Sequence, residues 1–142
     1  MKRFKFRLEK ELQFRKFKEE ECKLALGQAV SILNKIENEI KETAVKRHSA
    51  ALKRFDDIGE TNAWENYIMR LDQEAQRLTE KAAQAEVVVE EKRALYLEAQ
   101  KDLKIIEKLK EKRKKEYRKE MLDYEMNEID DQNAARFIGN LQ

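Results

Sequence analysis

Residues 64–106 read WENYIMRLDQEAQRLTEKAAQAEVVVEEKRALYLEAQKDLKII, and within them Trp64, Ile68, Leu71, Ala75, Leu78, Ala82, Ala85, Val89, Lys92, Tyr96, Ala99, Leu103 and Ile106 recur at alternating steps of four and three. That spacing holds one seam of a helix largely apolar and leaves its other faces charged, which is the heptad pattern of a coiled coil. The register runs on through Lys110, Arg113, Tyr117, Glu120 and Tyr124, with charged members gathering toward its end.

Upstream, Leu8, Leu12, Cys22, Leu26, Ala29, Leu33, Ile36 and Ile40 fall at the same steps or their multiples. Arg15 and Glu19 read as interruptions of this first seam. Its continuation through Ala44, Ala51, Phe55 and Ile58 reads as a slipped phase, a stutter that unwinds a supercoil locally without ending the helix. Between the two seams lies Asp56-Asp57-Ile58-Gly59-Glu60-Thr61-Asn62. There Gly59 suits a left-handed C-cap, and Asn62 with Glu65 suits a capping box.

The expectation is therefore a single all-α unit, a two-helix antiparallel coiled-coil hairpin whose second helix is the longer. Its first helix spans about residues 4–57, its turn about 58–62 and its second helix about 63–132. A frayed tail reaches 142, because Asn133, Gly139 and Asn140 weaken helix propensity. The short connection is what makes the helices antiparallel neighbours.

Composition agrees, since 142 residues with 42% charge, no proline and three glycines describe long helices better than compact apolar layers. No run approaches the roughly 18 apolar residues of a membrane span. The opening Met1-Lys2-Arg3-Phe4-Lys5-Phe6-Arg7 has no apolar core of a secretory signal. One cysteine, Cys22, allows no intrachain disulfide and fits a reducing compartment.

The 31 Lys and Arg nearly balance the 29 Asp and Glu, so overall charge selects no partner. Its distribution does. Residues 2–18 carry eight cations against Glu9 and Glu11, and residues 108–119 carry eight against Glu111 and Glu116. A lone basic run is ordinarily a solvated helix face. A hairpin that opposes residues whose numbers sum to about 121 joins these two runs into one positive pole, suited to an acidic protein, a nucleic acid or an anionic surface. Phosphate binding there would be steeply salt-dependent. Phe4, Phe6, Phe14 and Phe17 interleave with the first basic run, some packing on the second helix and the rest available as anchors.

Near the connection, Trp64 and Tyr67 either plug the turn or form a docking knob, and Leu71 lies on the seam opposite the small residues Ala50 and Ala51. His48 is alone, Cys22 reads as a core residue, and the carboxylates are scattered without a pocket to shift their pKa values. No phosphate-binding loop or nucleophile elbow is present. These residues point to a protein that binds other proteins, with no catalytic, cofactor or metal site.

Several segments carry a family resemblance: Phe4-x-Phe6-Arg7-Leu8-Glu9 with Phe14-Arg15 and Glu19-Glu20-Glu21, Trp64-x-x-Tyr67-Ile68-x-x-Leu71, Leu103 to Tyr117, and Ile129-Asp130-Asp131 with Arg136-Phe137. In their order they resemble the flagellar type III export protein FliJ family over essentially the whole chain. The resemblance implies a two-helix antiparallel coiled coil without catalytic activity, working in the cytoplasm at the inner face of the inner membrane. It implies three partners: the export ATPase FliI, the export gate protein FlhA, and flagellar export chaperones. The family's gate contact, an aromatic and a leucine four residues later, falls on Tyr67 and Leu71, with Trp64 beside them. The expected ATPase-ring contact is Phe4, Phe6, Arg7, Lys112, Arg113, Lys114, Lys115 and Tyr117. Gln132-Asn133 departs from the family pattern. No cofactor, nucleic acid or membrane insertion is implied. The alternative is a coiled coil that binds nucleic acid through the same basic residues or serves as a structural spacer.

Overall fold

A computed structural model describes residues 3–53 and 58–141. The fold is all-α, with α1 spanning Glu9–Ala51 and α2 spanning Ile58–Leu141. The second helix is the longer, at 84 residues against 43. Two compact units divide the chain: Met1–Glu19 with Ala99–Gln142, and Glu20–Glu98.

In the Glu20–Glu98 unit, Ala29, Ile36, Thr43 and Ala50 of α1 and Leu71, Leu78, Ala82 and Val89 of α2 are buried. The α1 seam keeps one phase throughout, through Thr43 and Ala50, and the slip onto Ala44 and Ala51 does not occur, because both are exposed. Thr43 escapes detection by an apolar pattern. Its hydroxyl donates to the Glu39 carbonyl at 2.9 Å, so it enters the seam with its polar atom satisfied. Phe55, placed on the slipped seam, lies outside the described residues. The helices run antiparallel here, since Arg47 meets Asp72 at 2.8 Å while Ala50 meets Trp64.

In the unit of Met1–Glu19 and Ala99–Gln142, Leu12 and Ala99 are buried. Arg15 and Glu19 are half-buried seam residues. Arg15 does not break the seam. Its guanidinium spans Glu11 at 3.0 Å and Asp102 at 3.3 Å, while its stem fills the seam position. Lys110 meets Glu9 at 2.9 Å, and Phe4 meets Tyr117. As the α1-side numbers fall from Arg15 to Phe4, the α2 numbers rise, so the two segments are antiparallel here as well.

Three boundaries differ from the sequence reading. First, residues 3–8 are not helical. Phe4 and Phe6 are half-buried while Arg3, Lys5 and Arg7 are exposed, the alternation of an extended chain. In a helix Phe4 and Phe6 would stand about 200° apart and only one would reach α2. Second, α1 ends at Ala51, followed by a turn in which the Lys53 amide donates to the Ala50 carbonyl at 3.2 Å. Gly59 and Asn62 lie inside the first turns of α2, and among the described residues none has a positive φ, so neither makes the predicted C-cap or N-cap. Third, α2 continues to Leu141 without a frayed tail, since Ala134, Ala135 and Arg136 are strong helix formers. Gly139 falls in the last turn, where a missing side chain removes little.

Candidate functional site

The extended segment before α1 and the α2 residues beside it enclose an open cleft of about 1280 Å³. Phe4 lines it, with its ring centroid 5.5 Å from that of Tyr117 and the two planes tilted by 47°. Edge-to-face and tilted pairs of this kind favour a fixed geometry over a flat stack. Arg3, Arg7 and Arg113 also line the cleft, and among the described residues Glu116 and Glu120 are its only acids. Arg113 is partly neutralised by Glu116 at 3.4 Å. A second, smaller cleft of about 450 Å³ lies between Phe6, Lys110 and Lys114.

Glu9 anchors this corner. Its carboxylate accepts from the Lys110 ammonium and from the Gln13 amide at 3.1 Å, and these hydrogen bonds, Lys110 first, hold its pKa below the usual value. Glu9 also sits in the first turn of α1, where a negative charge suits the helix dipole. The extended segment is thus tied down at the point where the helix begins.

Of the residues expected to meet the ATPase ring, the structure brings together Phe4, Phe6, Arg7, Arg113 and Tyr117 around the larger cleft and places Lys114 on the smaller. Lys112 and Lys115 are exposed and line neither. Phe14 and Phe17 stay exposed. Sequence reasoning missed Arg3, Lys5, Leu8, Leu109, Glu116 and Glu120 as cleft residues. The signal for the first two was the strict alternation of basic and aromatic residues from Arg3 to Arg7, a period of two that excludes helix.

The aromatic residues near the start of α2 divide by role. Trp64 is half-buried, and its indole N–H donates at 2.6 Å to the Ala50 carbonyl, which also accepts from the Lys53 amide just past the end of α1. Leu71 is buried at 8% exposure. Tyr67 is 39% exposed, with the Arg70 guanidinium 6.0 Å from its ring centroid. Met69 is exposed on the same stretch. Tyr67 therefore presents a surface ring, while Trp64 and Leu71 hold the helices together.

Among the described residues, no three His, Cys, Asp or Glu side chains are grouped to hold a metal ion. No described helix is long and apolar enough to cross a membrane.

The family model described as flagellar FliJ protein matches residues 4–142. The chain belongs to the flagellar FliJ family. It is a component of the flagellar export apparatus, in a family whose role there is non-catalytic. The match begins at Phe4, so it includes the extended segment of the basic cleft as well as both helices. Neither the curated proteins nor the solved structures yield a match.

Proposed function

We propose that this FliJ-family chain is a non-catalytic coupling subunit that binds the export ATPase FliI through its basic, aromatic cleft, and the export gate FlhA through the surface around Tyr67, with export chaperones as further partners. It acts at the cytoplasmic face of the inner membrane. The observation that carries the reading is the cleft itself, where Phe4 and Tyr117 stand among Arg3, Arg7 and Arg113. Aromatic and arginine side chains in one concavity are the composition of binding hot spots. Exposed cations around them steer an acidic partner and fix its orientation. Lys112 and Lys115, outside the cleft, extend that field.

The test is ATPase stimulation by the intact chain and by the charge reversal Lys112→Glu, Arg113→Glu, Lys114→Glu, Lys115→Glu. All four side chains are exposed, so helicity should be retained. Stimulation and ring binding should fall by about tenfold or more, with the effect shrinking at high salt. Undiminished stimulation by the fully helical variant would remove the basic cleft from the ATPase contact.

A further inference from the structure

The far part of α2 carries a charge pattern that the clefts use only in part, through Lys110, Arg113, Lys114, Glu116 and Glu120. Residues 108–119 hold eight Lys and Arg against two Glu, and residues 120–131 hold six Asp and Glu with no Lys or Arg. The sign thus reverses between Lys119 and Glu120. Beyond Met121 every described side chain to Asn140 is exposed. Leu122, Met126 and Ile129 are 60%, 62% and 55% exposed, although their spacing of four and three is that of a coiled-coil seam. At about 100° per residue this stripe lies on the side of α2 away from Tyr117, which meets Phe4.

We propose that two copies of the chain pair antiparallel through this stripe, with the sign reversal near Met121 at the two-fold axis. Antiparallel pairing is the arrangement that sets the basic block of each copy against the acidic block of the other on both sides of the axis. The register can be specified. When residues whose numbers sum to about 242 oppose each other, Lys112 faces Asp130, Lys119 faces Asp123, and Arg118 lies within one residue of facing Glu125. The first two pairs flank one edge of the stripe and the third flanks the other, as equivalent edges must meet in an antiparallel pair. Each pair occurs twice by symmetry. Among the described residues none of these six side chains has an ion-pair partner within its own chain. Leu122 and Met126 then pack on the aliphatic stems of the opposing Lys119 and Lys115, with the Lys119 ammonium reaching Asp123 and the Lys115 ammonium reaching water. A parallel pair would set like charges together along the whole length.

Exposed ion pairs are individually weak, so the dimer is weak and salt-sensitive. The inference does not depend on the ATPase reading. The basic block is shared, however, so a partner that takes it must first separate the copies.

The test is sedimentation equilibrium of the full chain alone, under reducing conditions so that Cys22 forms no cross-link. Dimer formation should weaken by about tenfold or more between low and high salt. Lys112→Glu with Lys119→Glu should be monomeric, as should Asp123→Lys with Asp130→Lys, both fully helical by circular dichroism. Mixed in equal amounts, these two variants should associate again, because each now offers the charges the other lacks. Leu122→Lys should also be monomeric, because it sets a cation against the opposing Lys119. A chain that stays monomeric at every concentration overturns the proposal, as does a mixture of the two reversals that fails to associate. A monomer that instead gains mass on adding polylysine would assign the acidic block to a basic partner and overturn it equally.

Discussion

Replacing Tyr67, Leu71 and Trp64 one at a time should separate recognition from structure in the stretch resembling the family's gate contact. Leu71 is 8% exposed, and truncation to alanine removes most of a packed side chain from the seam. That costs about 2–4 kcal/mol, a drop of several degrees in melting temperature for a chain of this size. Trp64→Phe keeps an aromatic ring but deletes the donor to the Ala50 carbonyl. The loss of one part-buried hydrogen bond is about 1 kcal/mol. Tyr67→Ala gives up only partial burial, and alanine recovers a few tenths of a kcal/mol in helix propensity, so its melt should shift by about a degree or two. Its affinity for the soluble domain of the gate protein should nevertheless fall about thirtyfold, the effect of losing an aromatic anchor of about 2 kcal/mol. The assay is a thermal melt of each variant beside its binding isotherm. If Tyr67→Ala melts several degrees lower yet binds normally, the ring is structural and the proposed gate surface lies elsewhere.

Acidification should release the first turn of α1. Glu9 has a lowered pKa in the folded chain, so its contribution is complete above the ordinary carboxylate value of 4.5 and is lost as pH falls through the folded value. Amide exchange near Glu9 should therefore accelerate in strong acid relative to residues in the middle of α1, and Glu9→Gln should remove this pH dependence. A double-mutant cycle on Arg15 and Asp102 should give a coupling of about 0.2–1 kcal/mol that shrinks with salt, because both side chains remain more than a third exposed, at 35% and 39%. Phe4→Ala should loosen the extended segment, seen as faster proteolysis before residue 9, while the melt of the helices stays within about a degree.

What the sequence made legible was whatever repeats. The α2 seam from Trp64 to Lys110 is half-buried or buried at every predicted position. A heptad pattern states a helix's packing face many times over, so no single ambiguous residue can displace it. Where the reading failed, one residue had to carry two meanings. Arg15 looks like a break in an apolar seam, yet its long stem occupies the seam and its guanidinium reaches both Glu11 and Asp102. Thr43 looks polar, yet it turns its hydroxyl onto its own helix. Overlooking Arg15 made an interruption where the seam is continuous, and overlooking Thr43 made a phase slip that the helix does not show. The turn was misplaced for a related reason: Gly59 and Asn62 have the chemistry of helix ends, but both are compatible with a helix interior near its first turn, where few hydrogen bonds are at stake. The clearest loss was the segment from Arg3 to Arg7, whose period of two was subsumed into the helix that follows it. The same segment lines the basic cleft, so the element least visible to helical periodicity is the one that gives this coiled coil a concave surface.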